Sequence, residues 1–215
     1  MSKPRVAIID YGVGNLLSVE RALRRNSVTT FVSADPDELA DSSHIVLPGV
    51  GAFGRAMSLL KERGLDTFLK SYVETGKPLL GICLGMQLLF QGSEELGCWD
   101  GLGFLEGKVV PIEAGHFGPS EVKVPHVGWT TIEPNGECRL LQTFVNEHKD
   151  RRLSFYFLHS YRAVPSFSNV TKAGCLYGHI EIVAIVEKDN IYGCQFHPEK
   201  SGPRGLELLR NFCAL

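Results

Sequence analysis

Apolar positions in the first part of the chain fall into short unbroken runs, separated by stretches with apolar residues at every third or fourth position. The runs are Arg5 to Asp10, Thr29 to Val32, His44 to Leu47 and Leu79 to Ile82. Each is too short for a helix and suits a strand buried on both faces. Between them, Leu16 to about Arg25 and Ala52 to Leu69 carry helical spacing, the second broken near Gly64, and Pro36 to Leu39 reads as a helical turn. After the last run, Leu84, Met86, Leu88, Leu89 and Phe90 predict a helix with a largely buried face. This alternation predicts a parallel sheet covered on both faces.

Beyond Gly92 the character changes. Gly-rich turns separate alternating runs at Gly107 to Ile112, Val122 to Val124, Gly128 to Ile132, Ser154 to His159, Thr171 to Leu176, Ile182 to Glu187 and Ile191 to Phe196. They predict antiparallel strands added to the sheet, with an amphipathic helix from Gly205 to Ala214. The expected fold is α/β: an open, largely parallel sheet flanked by helices, with added antiparallel strands. No repeat, low-complexity tract or linker interrupts residues 1–215, which predicts one domain.

Composition narrows the function classes. The chain is 44% apolar and 21% charged with a net charge of −2, a globular balance with no electrostatic footprint for nucleic acid or an anionic membrane. No apolar run approaches the roughly 18 residues needed to span a bilayer. The N-terminus enters a strand run directly, without the apolar region of a signal peptide. Cys83, Cys98, Cys138, Cys175, Cys194 and Cys213 are scattered, with no C-x-x-C pair, so no zinc or redox motif is indicated. A reduced, cytoplasmic protein without metal or cofactor is expected.

Candidate chemistry centres on Gly81-Ile82-Cys83-Leu84-Gly85, the nucleophile-elbow pattern G-x-S-x-G with Cys in place of Ser. A strand turning at once into a helix would put the Cys83 thiol at a helix N-terminus, which favours thiolate. A plain buried core cysteine accounts for the pentapeptide equally well. Of seven histidines (His44, His116, His126, His148, His159, His179 and His197), His197 stands out, in Gln195-Phe196-His197-Pro198-Glu199-Lys200. It ends a strand run, where functional groups of open α/β sheets gather. Pro198 biases it toward extended backbone, which places Glu199 on the same side. Cys83, His197 and Glu199 therefore form a candidate triad of nucleophile, base and orienting acid; a surface histidine beside a turn is the alternative for His-Pro-Glu by itself.

Acyl chemistry also needs donors for an oxyanion. The Leu84 N–H is one candidate, and Pro48-Gly49-Val50-Gly51 supplies a second around Val50 and Gly51, unless it is a simple βα turn. Gln87, one helical turn after Cys83, could bind a polar substrate or be an ordinary exposed residue. His159-Ser160-Tyr161, after an aromatic strand, could line a pocket. Tyr11-Gly12-Val13-Gly14-Asn15 lacks the glycine at position 17 that a dinucleotide fingerprint needs, so a tight βα turn with Asn15 as N-cap is favoured.

Taken together, D-Y-G-V-G-N-L (Asp10 to Leu16), L-P-G-V-G-A-F (Leu47 to Phe53), G-I-C-L-G-M-Q (Gly81 to Gln87), V-P-H-V-G-W (Val124 to Trp129), H-S-Y (His159 to Tyr161) and Q-F-H-P-E-K-S (Gln195 to Ser201) span nearly the whole chain. In this order they resemble the class I (triad) glutamine amidotransferases, and more narrowly the glutaminase subunits of imidazole glycerol phosphate synthases. The resemblance implies a flavodoxin-like sheet and a Cys83 that attacks the side-chain amide of glutamine. His197 would move the proton, with Glu199 orienting it. Gly49, Gly51, Gln87, His159 and Ser160 would hold glutamine or shape its pocket. Ammonia would pass to a (β/α)8-barrel cyclase partner in a heterodimer, which would make imidazole glycerol phosphate and an aminoimidazole carboxamide ribotide. Asn15, Trp129 and Lys200 would lie near the interface, and the Gly49-Val50-Gly51 peptide would be a hinge that docking flips to complete the oxyanion hole. Two departures stand out: Thr130 follows Gly-Trp where the family often has Asn, and the segment 133–152 is long and highly charged. Another triad glutaminase, a stand-alone Cys hydrolase of the same fold and a non-catalytic module are the competing readings.

Overall fold

The computed structural model describes residues 3–117, 120–147 and 153–215; His148 and the charged residues 148–152 lie outside them, as does the side chain of His116. The first half builds β1 (Arg5–Ile9), α1 (Leu16–Arg24), β2 (Thr29–Ser33), α2 (Pro36–Ala40), β3 (His44–Gly49), α3 (Phe53–Glu62), α4 (Leu65–Glu74), β4 (Leu79–Cys83) and α5 (Leu84–Leu88). The second half adds β5 (Phe90–Ser93), β6 (Trp99–Asp100), β7 (Leu105–Pro111), β8 (Gly115–Phe117), β9 (Ser120–Val122), β10 (His126–Pro134) and α6 (Gln142–Glu147). It closes with β11 (Leu153–His159), β12 (Tyr161–Pro165), β13 (Thr171–Tyr177), β14 (Ile180–Lys188), β15 (Ile191–Cys194) and α7 (Gly202–Cys213).

Nine strands form the main sheet, in the order β11-β10-β13-β14-β15-β4-β3-β1-β2. The half from β15 to β2 is parallel, and β14, β13, β10 and β11 extend it in antiparallel fashion. Alternation along the parallel strands divides the core into two layers. Val6, Ile8, Val46, Leu80 and Ile82 point to one face, under Val19 and Leu23 of α1 and Leu208, Leu209 and Phe212 of α7. Ala7, Ile9, Ile45, Leu47 and Leu79 point to the other, under Leu60, Leu69 and Tyr72 of α3 and α4. Local chemistry sets the helix ends. Asn15 caps α1 by accepting from the Ser18 N–H, and Asp35 caps α2 ahead of Pro36. Gly64, at φ +67°, turns the chain between α3 and α4.

Three expectations are corrected. The helix after the elbow stops at Leu88, and Phe90 begins a strand. Backbone N–H groups of Leu102, Leu105 and Gly103 take the carbonyls of Leu88, Leu89 and Phe90, which a longer helix would have used itself. Not all later strands join the main sheet: β12, β7, β5 and β6 form a second one, packed on the α3–α5 side through Phe90, Leu105, Val109 and Ala163. Of the run Val122 to Val124, only Val122 lies in a strand, closing the β8–β9 hairpin.

Candidate active site

β3 and β4 are adjacent parallel strands, and their register places Gly49 directly opposite Cys83. The two loops proposed from sequence are therefore neighbours at the C-terminal edge of the sheet, where open α/β folds place ligands. Cys83 occupies a backbone conformation of φ 54°, ψ −109°, unusual for a residue with a side chain, and the helix starts at the next residue. A Cβ at Gly85 would run into the Leu47 carbonyl, and one at Gly81 into the Gly85 carbonyl and the Met86 nitrogen. The two glycines let α5 fold straight back onto β3 and β4, so the pattern is an elbow in geometry as well as in sequence. As α5 has only five residues, His197 is a more important polar neighbour of the thiol than the helix end.

β15 lies on the other side of β4, and the extended chain after it delivers His197 to the same edge. His197 Nδ1 is 2.9 Å from Glu199 Oε1, and the two side chains are 3% and 2% exposed. Nε2 is buried with no partner at hydrogen-bond distance, free for a proton in transit. Burial works against a charge on this ring, but the neighbouring Cys83 and Glu199, through their charge and the Glu199 hydrogen bond, outweigh it, raising the His197 pKa to about 9. The Cys83 thiol donates to the Leu158 carbonyl at 3.6 Å and accepts from the Gln195 side-chain amide at 3.7 Å. Cys138, Cys194 and Cys213 are plain buried cysteines, and Cys98 is exposed; burial pushes Cys138, Cys213 and the partly buried Cys175 to about 12 and Cys194 well above its usual value. All six cysteines are free, and among the described residues no His, Cys, Asp and Glu cluster could hold a metal.

Cys83, Leu84 and His197 open into a cavity of about 310 Å³ together with Val50, Gly51, Gln87, His159, Ser160 and Tyr161. Sequence-predicted residues from four separate segments are thus brought together. Gly49 is not among them: it packs beneath the elbow, where a Cβ would strike the Tyr11 hydroxyl, the Gly85 nitrogen and the Leu84 Cβ. Gln87 is buried rather than exposed, and both its amide hydrogens are used, on the Tyr161 carbonyl (2.9 Å) and on Gln195 Oε1 (3.0 Å). Because the Tyr161 carbonyl can only accept, the amide orientation is fixed, and Gln87 can offer a ligand only its oxygen. His159 donates Nδ1–H to Tyr161 O at 2.8 Å. Asn15, Trp129 and Lys200 are exposed on the surface outside the cavity. Trp129 packs edge-on against Tyr156, whose carbonyl accepts from the His197 N–H.

The cavity also holds residues that sequence reasoning passed over. Glu95 lines it, anchored by the Phe53 N–H at the start of α3 (2.5 Å), and so does Pro125. Glu95 follows β5, of which only Phe90 falls in a predicted element, a helix, so no pattern pointed to it. Gln195 and Tyr11 lie beneath the lining, fully buried; Gln195 had a legible signal, two residues before His197 in an extended segment, on the same side. Tyr11 is buried, donates to the Pro48 carbonyl at 2.8 Å and is raised in pKa by burial and by the charge of Cys83.

A model of the family "Glutamine amidotransferase class-I" matches residues 7–215. The chain belongs to the class-I glutamine amidotransferases. Among curated members of this amidotransferase family, "Imidazole glycerol phosphate synthase subunit HisH" of Geobacillus sp. (strain WCH70) is 45% identical over 210 residues, covering 98% of this chain and 96% of that protein. The protein of the same name from Bacillus subtilis (strain 168) is 44% identical over 207 residues, 96% of this chain and 94% of its own. Solved amidotransferase folds agree at lower identity. PurLQS from Thermotoga maritima superposes with a TM-score of 0.75 at 21% identity, over 98% of both chains. A further glutamine amidotransferase gives 0.69 at 19%, over 98% of this chain and 99% of its own.

Proposed function

We propose that this amidotransferase is the glutaminase subunit of an imidazole glycerol phosphate synthase, and that its 215 residues act as one domain. The observation that carries the reading is the Cys83–His197–Glu199 arrangement at the sheet edge, in a chain 45% identical to a curated subunit of that name over almost its full length. The Cys83 thiolate attacks the side-chain carbonyl carbon of glutamine. The carbonyl oxygen becomes an oxyanion, held by the N–H of Leu84 and by an N–H of the Val50–Gly51 loop. His197, protonated through its raised pKa, gives its proton to the leaving nitrogen, which departs as ammonia. His197 then takes a proton from water, the hydroxide displaces Cys83 from the thioester, and glutamate leaves. Glu199 holds the ring by Nδ1 throughout.

The cavity fits this substrate. Glu95 puts a carboxylate in it, and Gln87 offers only an acceptor oxygen, so both complement the α-ammonium group of glutamine. His159, Ser160 and Gly51 complete the walls.

Ammonia goes to a (β/α)8-barrel cyclase bound as heterodimer partner; the lyase half of the reaction belongs to that partner. Val127 and Leu158 pair across β10 and β11, and with Trp129, 60% exposed, they form an outward apolar band beside the cavity mouth. Lys200, next to Glu199, and Asn15, at the start of α1, flank the same region in this reading. Val50, 42% exposed between two glycines, is placed to report docking to the oxyanion loop. A cytoplasmic setting accords with six free thiols.

The test is glutaminase activity with and without the barrel cyclase and its substrate. Turnover should rise by about 10²–10³ in the loaded complex, the worth of one oxyanion donor, and vanish in Cys83→Ala. Full turnover by the isolated chain would identify a stand-alone hydrolase instead.

A further inference from the structure

Three side chains on β10 and β11 and a backbone carbonyl at the start of β12 are joined in a single hydrogen-bonded line. Thr130 Oγ1 lies 2.8 Å from His126 Nε2, His126 Nδ1 lies 3.0 Å from His159 Nε2, and His159 Nδ1 lies 2.8 Å from the Tyr161 carbonyl. The strand register puts His126 opposite His159, and the period of two places His126 and Thr130 on the same inner side of β10. Both imidazoles are buried, and His126 is clamped between the rings of Phe157 (4.9 Å) and Tyr177 (4.0 Å).

The direction of the line is forced. A carbonyl only accepts, so His159 carries its hydrogen on Nδ1. In a neutral ring Nε2 is then an acceptor and takes the His126 Nδ1–H. His126 Nε2 is an acceptor in turn and takes the Thr130 hydroxyl hydrogen. Burial lowers both rings, His126 to about 4 and His159 to about 3, which keeps each of them neutral and with one hydrogen. The far end of the line matters to the cavity. The Tyr161 carbonyl that receives His159 is the same one that receives the Gln87 amide, and His159, Ser160 and Tyr161 form one cavity wall.

We propose that Thr130 is a positioning residue of the glutamine pocket, acting through the hydrogen-bonded His126 and His159 rings to hold the Tyr161 carbonyl and, against it, Gln87. This rests on the reading of the cavity as a glutamine site. Removing the Thr130 hydroxyl leaves His126 Nε2 as a buried acceptor without a donor. The tautomers stay as they are, because the Tyr161 carbonyl still needs the His159 Nδ1–H and a hydrogen moved to His126 Nε2 would find no acceptor there. The His126 ring instead loses the bond that fixes its outer edge, and the line through His159 to the Tyr161 carbonyl slackens. One hydroxyl on β10 thus sets the stiffness of a wall it does not touch.

The experiment compares Thr130→Val, which keeps the shape and removes the hydroxyl, with Thr130→Ser, which restores it. Imidazole ¹⁵N NMR reads the tautomers of full-length protein. Calorimetry reads glutamine binding in a Cys83→Ala background, and steady-state kinetics reads the Cys83 forms. We expect Nδ1–H tautomers at His126 and His159 in all three forms, with the His126 Nε2 resonance shifted in Thr130→Val, where that nitrogen has lost its donor, and restored in Thr130→Ser. Thr130→Val should bind glutamine about ten-fold more weakly and raise KM to match, with kcat within about two-fold, the pattern of lost uniform binding. Thr130→Ser should stay within about two-fold of the native chain. The proposal is overturned by an unshifted His126 Nε2 resonance in Thr130→Val, by equal affinity in Thr130→Val and the native chain, or by an equal loss in both variants. A native chain that binds glutamine with this dependence on residue 130 but never hydrolyses it supports the positioning role and removes the glutaminase reading.

Discussion

Tyr11 donates its hydroxyl to the Pro48 carbonyl at 2.8 Å and sits where a Cβ on Gly49 would have to go. It ties the segment that follows β1 to the start of the loop that carries Val50. Tyr11→Phe leaves that buried carbonyl without its donor, a cost of about 1–3 kcal/mol in unfolding free energy. It also loosens the loop on which the oxyanion donor depends. We expect a lower denaturant midpoint together with a several-fold rise in glutaminase activity of the isolated chain. Unchanged basal activity in a destabilised variant would confine Tyr11 to a structural role.

The raised pKa of His197 predicts an alkaline limit. Below about 9 the ring holds the proton that the leaving ammonia needs, and above it that proton is lost, so kcat/KM should fall as pH rises through about 9. Glu199 helps to raise the ring through its hydrogen bond and its charge. Glu199→Gln should therefore move the alkaline limb down by about one unit or more, as well as lowering the rate. A pH–rate profile of the two forms checks this, and an unmoved limb in the variant would detach Glu199 from the base.

At the elbow, function and stability oppose each other. Cys83 holds a side chain at φ 54°, where glycine is at ease, at a cost of about 1–3 kcal/mol. Cys83→Gly and Cys83→Ala should both be inactive, but the glycine form should melt higher, by about 2–4 °C for each kcal/mol of relief. Gly85→Ala should do the reverse, because its methyl would meet the Leu47 carbonyl on β3. Thermal unfolding of the three variants gives the order.

Acid should weaken the fold earlier than its carboxylates alone would dictate. His126, at about 4, and His159, at about 3, are neutral in the fold but would charge on unfolding below about 6.5, and His44 is lowered by burial in the same sense. The unfolded chain therefore binds more protons in this window, and stability falls as pH drops from about 6.5 toward 4, by up to about 1.4 kcal/mol per pH unit for each fully buried ring. His197 works in the opposite sense: its raised pKa contributes stability below about 6.5 that declines as pH climbs toward 9. Denaturant midpoints between pH 6.5 and 4.5 should show the slope, and His159→Gln should flatten it.

The parallel half of the sheet was legible because β1, β3 and β4 bury both faces and so write continuous apolar runs into the sequence. Cys83, His197 and Glu199 were legible because the elbow and the His-Pro-Glu segment have local backbone requirements that leave glycine and proline as traces. The second sheet was not. Phe90 fits a helical period and a strand equally well, and what ends α5 is a set of carbonyls captured by the loop around Gly101 to Leu105, which no local pattern announces. Glu95 was hidden for the same reason, and the buried state of Gln87 depends on Tyr161 and Gln195, distant in sequence. The His126–His159 pair needed the β10–β11 register, which only the folded sheet supplies.

The placement of β15 has a consequence for biosynthesis. It enters the sheet late in the chain yet lies at its centre, between β4 and β14, and it delivers His197. A chain emerging from the ribosome N-terminus first exposes Cys83 long before the strand that must lie beside it. Until β15 inserts, the elbow has no base, and its neighbour β4 has an unpaired edge. The nascent protein therefore passes through translation with its thiol unarmed, and completion of the sheet is the event that first sets a base beside it.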